Sequence, residues 1–230
     1  MAKKKKDKQT DKFYEAEQKM GLEARNFFEK NGKIIAGLTI GVLLLIILGY
    51  GYKQFIKAPK EVKAQDLMIK AQQYFEKDSF QLALNGDGVS YGFKDISQKY
   101  SGTKAGNGAK LYAGISALHI GEYEEAINYL ESFKTKDNIL NARKMGCIGD
   151  AKAELGDLPS AISFYQKAIK ADENNDITTP FYLYKLSQAQ IASEQKEDAI
   201  ETLKTLIDQF HDIHENFDAE KELAKLQASK

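Results

Sequence analysis

The sequence is short of most features that announce chemistry. It has one cysteine, Cys147, in 230 residues, so no intrachain disulfide can form and a cystine-stapled scaffold is excluded. Its three histidines are His119, His211 and His214. His211 and His214 stand at i and i+3 and could touch one metal, but only Asp208 or Asp212 is near enough to complete the set, so a solvated pair at a helix end is the expected reading. No Gly-x-Ser-x-Gly or Cys-x-x-Cys pattern occurs. Paired carboxylates such as Glu124 and Glu125 fall where a solvated helix surface is expected, and Cys147 reads as a small packing residue. These absences predict no enzyme, no cofactor, no bound metal and no small-molecule substrate. Net charge is missing too: 33 Lys+Arg match 33 Asp+Glu. Taken as an average, that removes the field that would draw nucleic acid. With 43% hydrophobic and 29% charged residues, wholesale disorder and a polytopic membrane protein are excluded as well.

The zero charge is a cancellation. Residues 34–52, IIAGLTIGVLLLIILGYGY, are 19 residues without a charge. A helix of that length spans roughly 28 Å, near the hydrocarbon thickness of a bilayer. Residues 1–33 hold 10 Lys+Arg against 6 acids, net +4, and residues 53–230 hold 23 against 27, net −4. The polar stretch before the apolar run is long and the run exceeds a signal-peptide core, so an uncleaved signal anchor is expected. Positive residues close to the two ends of the run nearly balance, which leaves the positive-inside rule almost silent. The Lys3–Lys6 cluster places the N-terminus in the cytoplasm and the large domain outside, in the periplasm of a Gram-negative cell. Phe13, Met20, Ala24, Phe27 and Phe28 recur near helical spacing, interrupted by Glu17, and predict a short amphipathic helix on the membrane surface. Within the run, Gly37 and Gly41 form a GxxxG pattern, and Gly49 is read onto the same face. Together they make a candidate packing surface for another membrane helix.

After the run the chain repeats itself. Gly114…Gly121…Ala126-Ile127, Gly149…Gly156…Ala161-Ile162 and Ser187…Glu194…Ala199-Ile200 share one register: a small residue, a turn residue seven positions on, then Ala-Ile after five more. The period is 35 residues and then 38; a fainter copy, Ala71…Asp78…Ala83-Leu84, precedes them by 43. The third copy departs most from the pattern, with Glu194 in place of a turn glycine, and Lys152 holds a usually aromatic position. This periodicity resembles the tetratricopeptide repeat, a helix–turn–helix unit of 34 residues. A single helix pair cannot bury its apolar face, whereas stacked pairs can. The extra residues of the third spacing fall in 172–180, a linker in which Pro180 is placed to start a helix. Those of the first fall at 85–92, a loop that interrupts the second helix of its copy. The stretch 217–226 predicts a capping helix. The expected fold is therefore all-α: a basic tail over 1–33, a transmembrane helix over 34–52 and a linker over 53–64. About four helix pairs follow over 65–216, forming a helical solenoid, with a cap over 217–230.

The resemblance to the repeat family implies a binding groove lined by the first helix, helix A, of each pair. Carrying its register over gives Met68 and Gln72, Leu111 and Ile115, Arg143 and Asp150, and Tyr184 and Gln188. The Lys and Asn groups with which some family members clamp acidic chaperone tails are missing there. The apolar and amide mixture suits an extended or unfolded protein segment. The layout of tail, anchor and repeats, together with the Phe27-Phe-Glu-Lys-Asn-Gly-Lys33 run, is similar to that of the ancillary subunits of the bacterial Sec translocon (YfgM-type family). That resemblance implies a single-pass inner-membrane protein whose periplasmic domain meets translocon subunits or a periplasmic chaperone. The loop at 85–92 is not a feature of that family. A scaffold for another cell-envelope complex is the competing expectation.

Overall fold

The computed structural model describes residues 2–173, 175–210 and 218–228, with side chains from residue 13 onward. Every regular element among the described residues is helical. The chain divides into two units, Met1–Ala58 and Pro59–Lys230.

The first unit is a single helix. α1 runs unbroken over Ala2–Tyr52 and passes into a π-helical stretch, Lys53–Lys57. It meets the length and composition needed to cross a membrane, and its apolar side chains from Ile34 to Tyr52 stand exposed apart from the half-buried Ile35. Two expectations change here. The surface helix expected over Phe13–Phe28 is not a separate element, because no Pro, Gly pair or inserted side chain breaks the i to i−4 ladder before the apolar run. The stretch 53–64, expected as a linker, is helical. Gly49 also leaves the face it was read onto. At 3.6 residues per turn it stands about 120° round the helix from Gly37, while Gly41 is about 40° away. Gly37, Gly41 and Gly49 have no side chain close to them.

The second unit stacks helix pairs. α2 (Ala58–Phe75) pairs with α3 (Phe80–Asn85) and α4 (Phe93–Lys99), two halves of one helix broken by the loop at 86–92. The next pairs are α5 (Lys104–His119) with α6 (Tyr123–Ser132), α7 (Asn138–Glu154) with α8 (Leu158–Ala171), and α9 (Thr178–Ala192) with α10 (Lys196–Gln209). α11 (Ala219–Ala228) closes the end against α10. His211, His214 and Phe217 lie outside the described residues.

The repeat register explains the packing. The small residues Ala71, Gly114 and Ser187 and the alanines Ala83, Ala126, Ala161 and Ala199 are fully buried or nearly so, which lets each helix A approach its helix B. A Cβ on Gly114 would lie 2.6 Å from Leu130 Cγ, and one on Gly149 would lie 2.7 Å from Tyr165 Cε1. Four apolar clusters follow one another along the stack, centred on Phe93 and Ile96, on Leu130 and Ile148, on Tyr165 and Tyr182, and on Leu203 and Leu206. Helix starts carry side-chain caps: Thr103 Oγ1 accepts from Gly106 N–H at 2.9 Å and Asp137 Oδ1 from Leu140 N–H at 2.9 Å. The α5 start has a further anchor 43 residues away, where the Glu61 carboxylate accepts the N–H groups of Lys104 (2.6 Å) and Ala105 (2.9 Å).

Candidate protein-binding groove

A groove of about 730 Å³ lies in the second unit. The helices A of three successive pairs supply most of it: Leu118 and His119 from α5, Asp150, Ala153 and Glu154 from α7, and Phe181, Tyr184, Lys185 and Gln188 from α9. Tyr123, Leu158 and Tyr165 come in from the paired helices B. The surface is chiefly aromatic and aliphatic, which is what a segment with exposed apolar side chains needs.

At its centre sits a charge pair that neutralises itself. Lys185 Nζ donates to both Asp150 oxygens, at 2.6 and 2.7 Å, and Tyr165 OH donates to Asp150 Oδ1 at 2.8 Å. Burial, and then the Asp150 charge and hydrogen bond, hold the Tyr165 hydroxyl well above its ordinary pKa, so it remains a donor. The Lys185 ammonium also lies 4.7 Å from the centre of the Phe181 ring. With Asp150 and Lys185 paired, the Glu154 carboxylate leaves the groove net negative, so the surface disfavours an acidic chain end. One polar group is left over: Gln188, which lines the groove, has its Nε2 shielded from solvent without a hydrogen-bond partner. Turned into the groove, such a donor takes a backbone carbonyl of a bound segment as its acceptor.

The expected groove residues divide. Asp150, Tyr184 and Gln188 come together in the groove. Met68, Leu111 and Ile115 do not; they are buried, Met68 against the first cluster and Leu111 and Ile115 against Leu130, Phe133 and Ile148. Their apolar side chains fill the seam between pairs. Gln72 is half-buried and away from the groove. Arg143 is exposed and away from it as well, because it lies six positions before Gly149 whereas its counterparts lie three before their small residues. The residue in register is Gly146, and a Cβ there would run into the Tyr182 ring. Leu118, His119, Ala153, Glu154 and Ala192 line the groove without having been expected. They stand four or five positions after Gly114, Gly149 and Ser187, so the register contained that signal.

Residues 148–175 and residues 182–211 match models of the tetratricopeptide repeat. The chain carries tetratricopeptide repeats. The first matched segment takes in the end of α7 with all of α8, and the second most of α9 with all of α10, so the third copy, with Glu194 at its turn, is a repeat like the second. No curated protein matches the chain. Tetratricopeptide repeats are protein–protein interaction modules, and they point to protein partners. Among the described residues no three His, Cys, Asp or Glu side chains are grouped to hold a metal ion. Cys147 is shielded, and burial pushes its thiol up to about 11, away from the range of a nucleophile.

Proposed function

We propose that the chain is a non-enzymatic, membrane-tethered interaction module. In this reading α1 crosses the inner membrane through residues 34–52, the basic tail faces the cytoplasm, and the repeats work in the periplasm beside the Sec translocon. There they receive emerging chains or pass them to a chaperone. The observation that carries the binding role is the groove over α5, α7 and α9, chiefly aromatic and aliphatic, with Asp150 and Lys185 paired to each other and the Gln188 amide unpaired. It suits an extended apolar segment held by shallow side-chain contacts and backbone hydrogen bonds. The membrane role is supported by the uncharged run on an exposed helix, and the export role by the Phe27–Lys33 run and the order of tail, span and repeats.

Purification of the full chain from gently solubilised, cross-linked membranes tests it. Recovery of translocon subunits or a periplasmic chaperone is expected; efficient cross-linking that yields neither counts against the export role. Recovery of the subunits of one other envelope complex would make the chain that complex's scaffold. A reporter fused after Lys230, active only outside the cytoplasm, is expected to be active, and a silent reporter would place the repeats on the cytoplasmic side.

A further inference from the structure

We propose that two copies of the chain pair in parallel through one stripe of α1, from Phe13 to Leu38. The interface is independent of the groove and rests on the membrane-tethered reading only for the orientation of the copies. Phe13, Met20, Phe27 and Ile34 recur every seven residues. Ala24, Asn31 and Leu38 each follow four residues after Met20, Phe27 and Ile34, giving the alternating three- and four-residue spacing of a two-helix seam. Phe28 widens the stripe, and the opposite face carries Lys19, Glu29 and Lys33 beside a single apolar Leu22.

Phe13, Met20, Phe27, Phe28 and Ile34 are 57–69% exposed among the described residues. Burying about 100 Å² of each in both copies removes roughly 1,000 Å², the lower bound for a specific interface, before the span adds its own contacts. The bilayer surface is a poor cover, because α1 runs unbroken into the apolar run and a spanning helix cannot also lie flat. A second copy fits: a single-pass anchor holds every copy parallel and at one depth, so stripe meets stripe in register.

The charges agree with that pairing. In a parallel pair Glu23 and Lys30 of one helix face Phe28 and Ile35 of the other, so no like charges meet along the flanks. Asn31 is the one amide on the seam, and a single Asn at such a position favours parallel pairing in one register. Glu17 faces its own copy, which weakens the end far from the span and centres the contact on Met20 to Leu38.

The test uses the full chain, with Cys147→Ala to remove the native thiol, reconstituted alone in lipid bilayers. Single cysteines are introduced by Met20→Cys and Phe27→Cys on the stripe and by Glu29→Cys on the far face, and the samples are oxidised. Dimers are expected from the first two and not from the third. Adding Phe27→Asp is expected to abolish the Met20→Cys dimer with membrane insertion unchanged. No dimer at any position, equal cross-linking at all three, or a Phe27→Cys site reached by a lipid-borne quencher without dimer would overturn the proposal. So would survival of the Met20→Cys dimer beside Phe27→Asp. Because neither translocon nor groove ligand is present, this outcome is independent of the pull-down that tests the proposed function.

Discussion

Each turn from helix A to helix B needs one residue in the left-handed region, and the chain supplies it in two ways. Gly121 and Gly156 take φ of 83° and 76° at no steric cost, whereas Asp78 and Glu194 reach 54° and 59° with a side chain attached. Glu194→Gly should therefore raise stability by about 0.5–1 kcal/mol, read as a higher urea midpoint of the full chain. The opposite holds at the helix contacts. Gly149→Ala would push a methyl to 2.7 Å from Tyr165 Cε1 and 2.8 Å from Cδ1, and should cost about 1–3 kcal/mol in the same measurement. Gly121→Ala meets open space and should cost only the backbone strain, about 1 kcal/mol. Both requirements were legible, because the small and turn residues recur at fixed spacing. That Glu194 would hold the turn was not, since its side chain argues against the conformation it adopts.

Among the elements, the insertion at 86–92 shows where period stops informing. Its position followed from the 43-residue spacing, but its rigidity did not. Asp87 organises it: Oδ1 accepts the N–H groups of Val89 (2.9 Å) and Ser90 (2.6 Å), and Oδ2 accepts Tyr74 OH at 2.7 Å. A Cβ on Gly86 would run into Ser90 O and one on Gly92 into Leu84 O, so the loop closes tightly on itself. No periodicity links Tyr74 to Asp87, nor Glu61 to the α5 start, because each contact depends on how elements far apart in sequence come together. The Ser90 N–H, then Tyr74 OH and Val89 N–H, hold the Asp87 carboxyl well below its ordinary value. Its folded pKa is depressed, so its contribution is complete above the ordinary carboxyl value of 3.8 and is lost as pH falls below it. Asp87→Ala should accelerate protease cleavage within 86–92 at neutral pH while leaving total helicity unchanged. Acidification of the unmodified protein below that value should move its cleavage in the same direction under an acid-active protease.

For the whole molecule, the solenoid was legible and the groove only in part, for one physical reason. The register fixes which helix-A positions point inward, but whether an inward position meets a neighbour or open space depends on how the pairs stack. Ile115, Asp150 and Gln188 hold the same place after Gly114, Gly149 and Ser187, yet Ile115 fills the core while the other two line the groove. Volume decides it. An Ile can be absorbed between α5, α6 and α7, but Asp150 is held at the surface of the groove by Lys185 and Tyr165. Binding should therefore depend on Tyr184 and Gln188 and be indifferent to Arg143. With the full chain in detergent and an unfolded, apolar model peptide as probe, Tyr184→Ala should weaken binding about tenfold, as the loss of a central aromatic contact does. Gln188→Ala should weaken it less, by one neutral hydrogen bond of about 1 kcal/mol. Arg143→Ala should leave it unchanged. Asp150→Ala is the informative contrast. It strands the half-buried Lys185 ammonium and the Tyr165 hydroxyl, so it should destabilise the stack. It should also take away the groove's excess negative charge, leaving Glu154 and Lys185 in balance, so a peptide of matched length that carries a carboxylate should be less disfavoured than before. A peptide preference that stayed fixed through Asp150→Ala, with Tyr184→Ala also silent, would place the binding surface outside this groove.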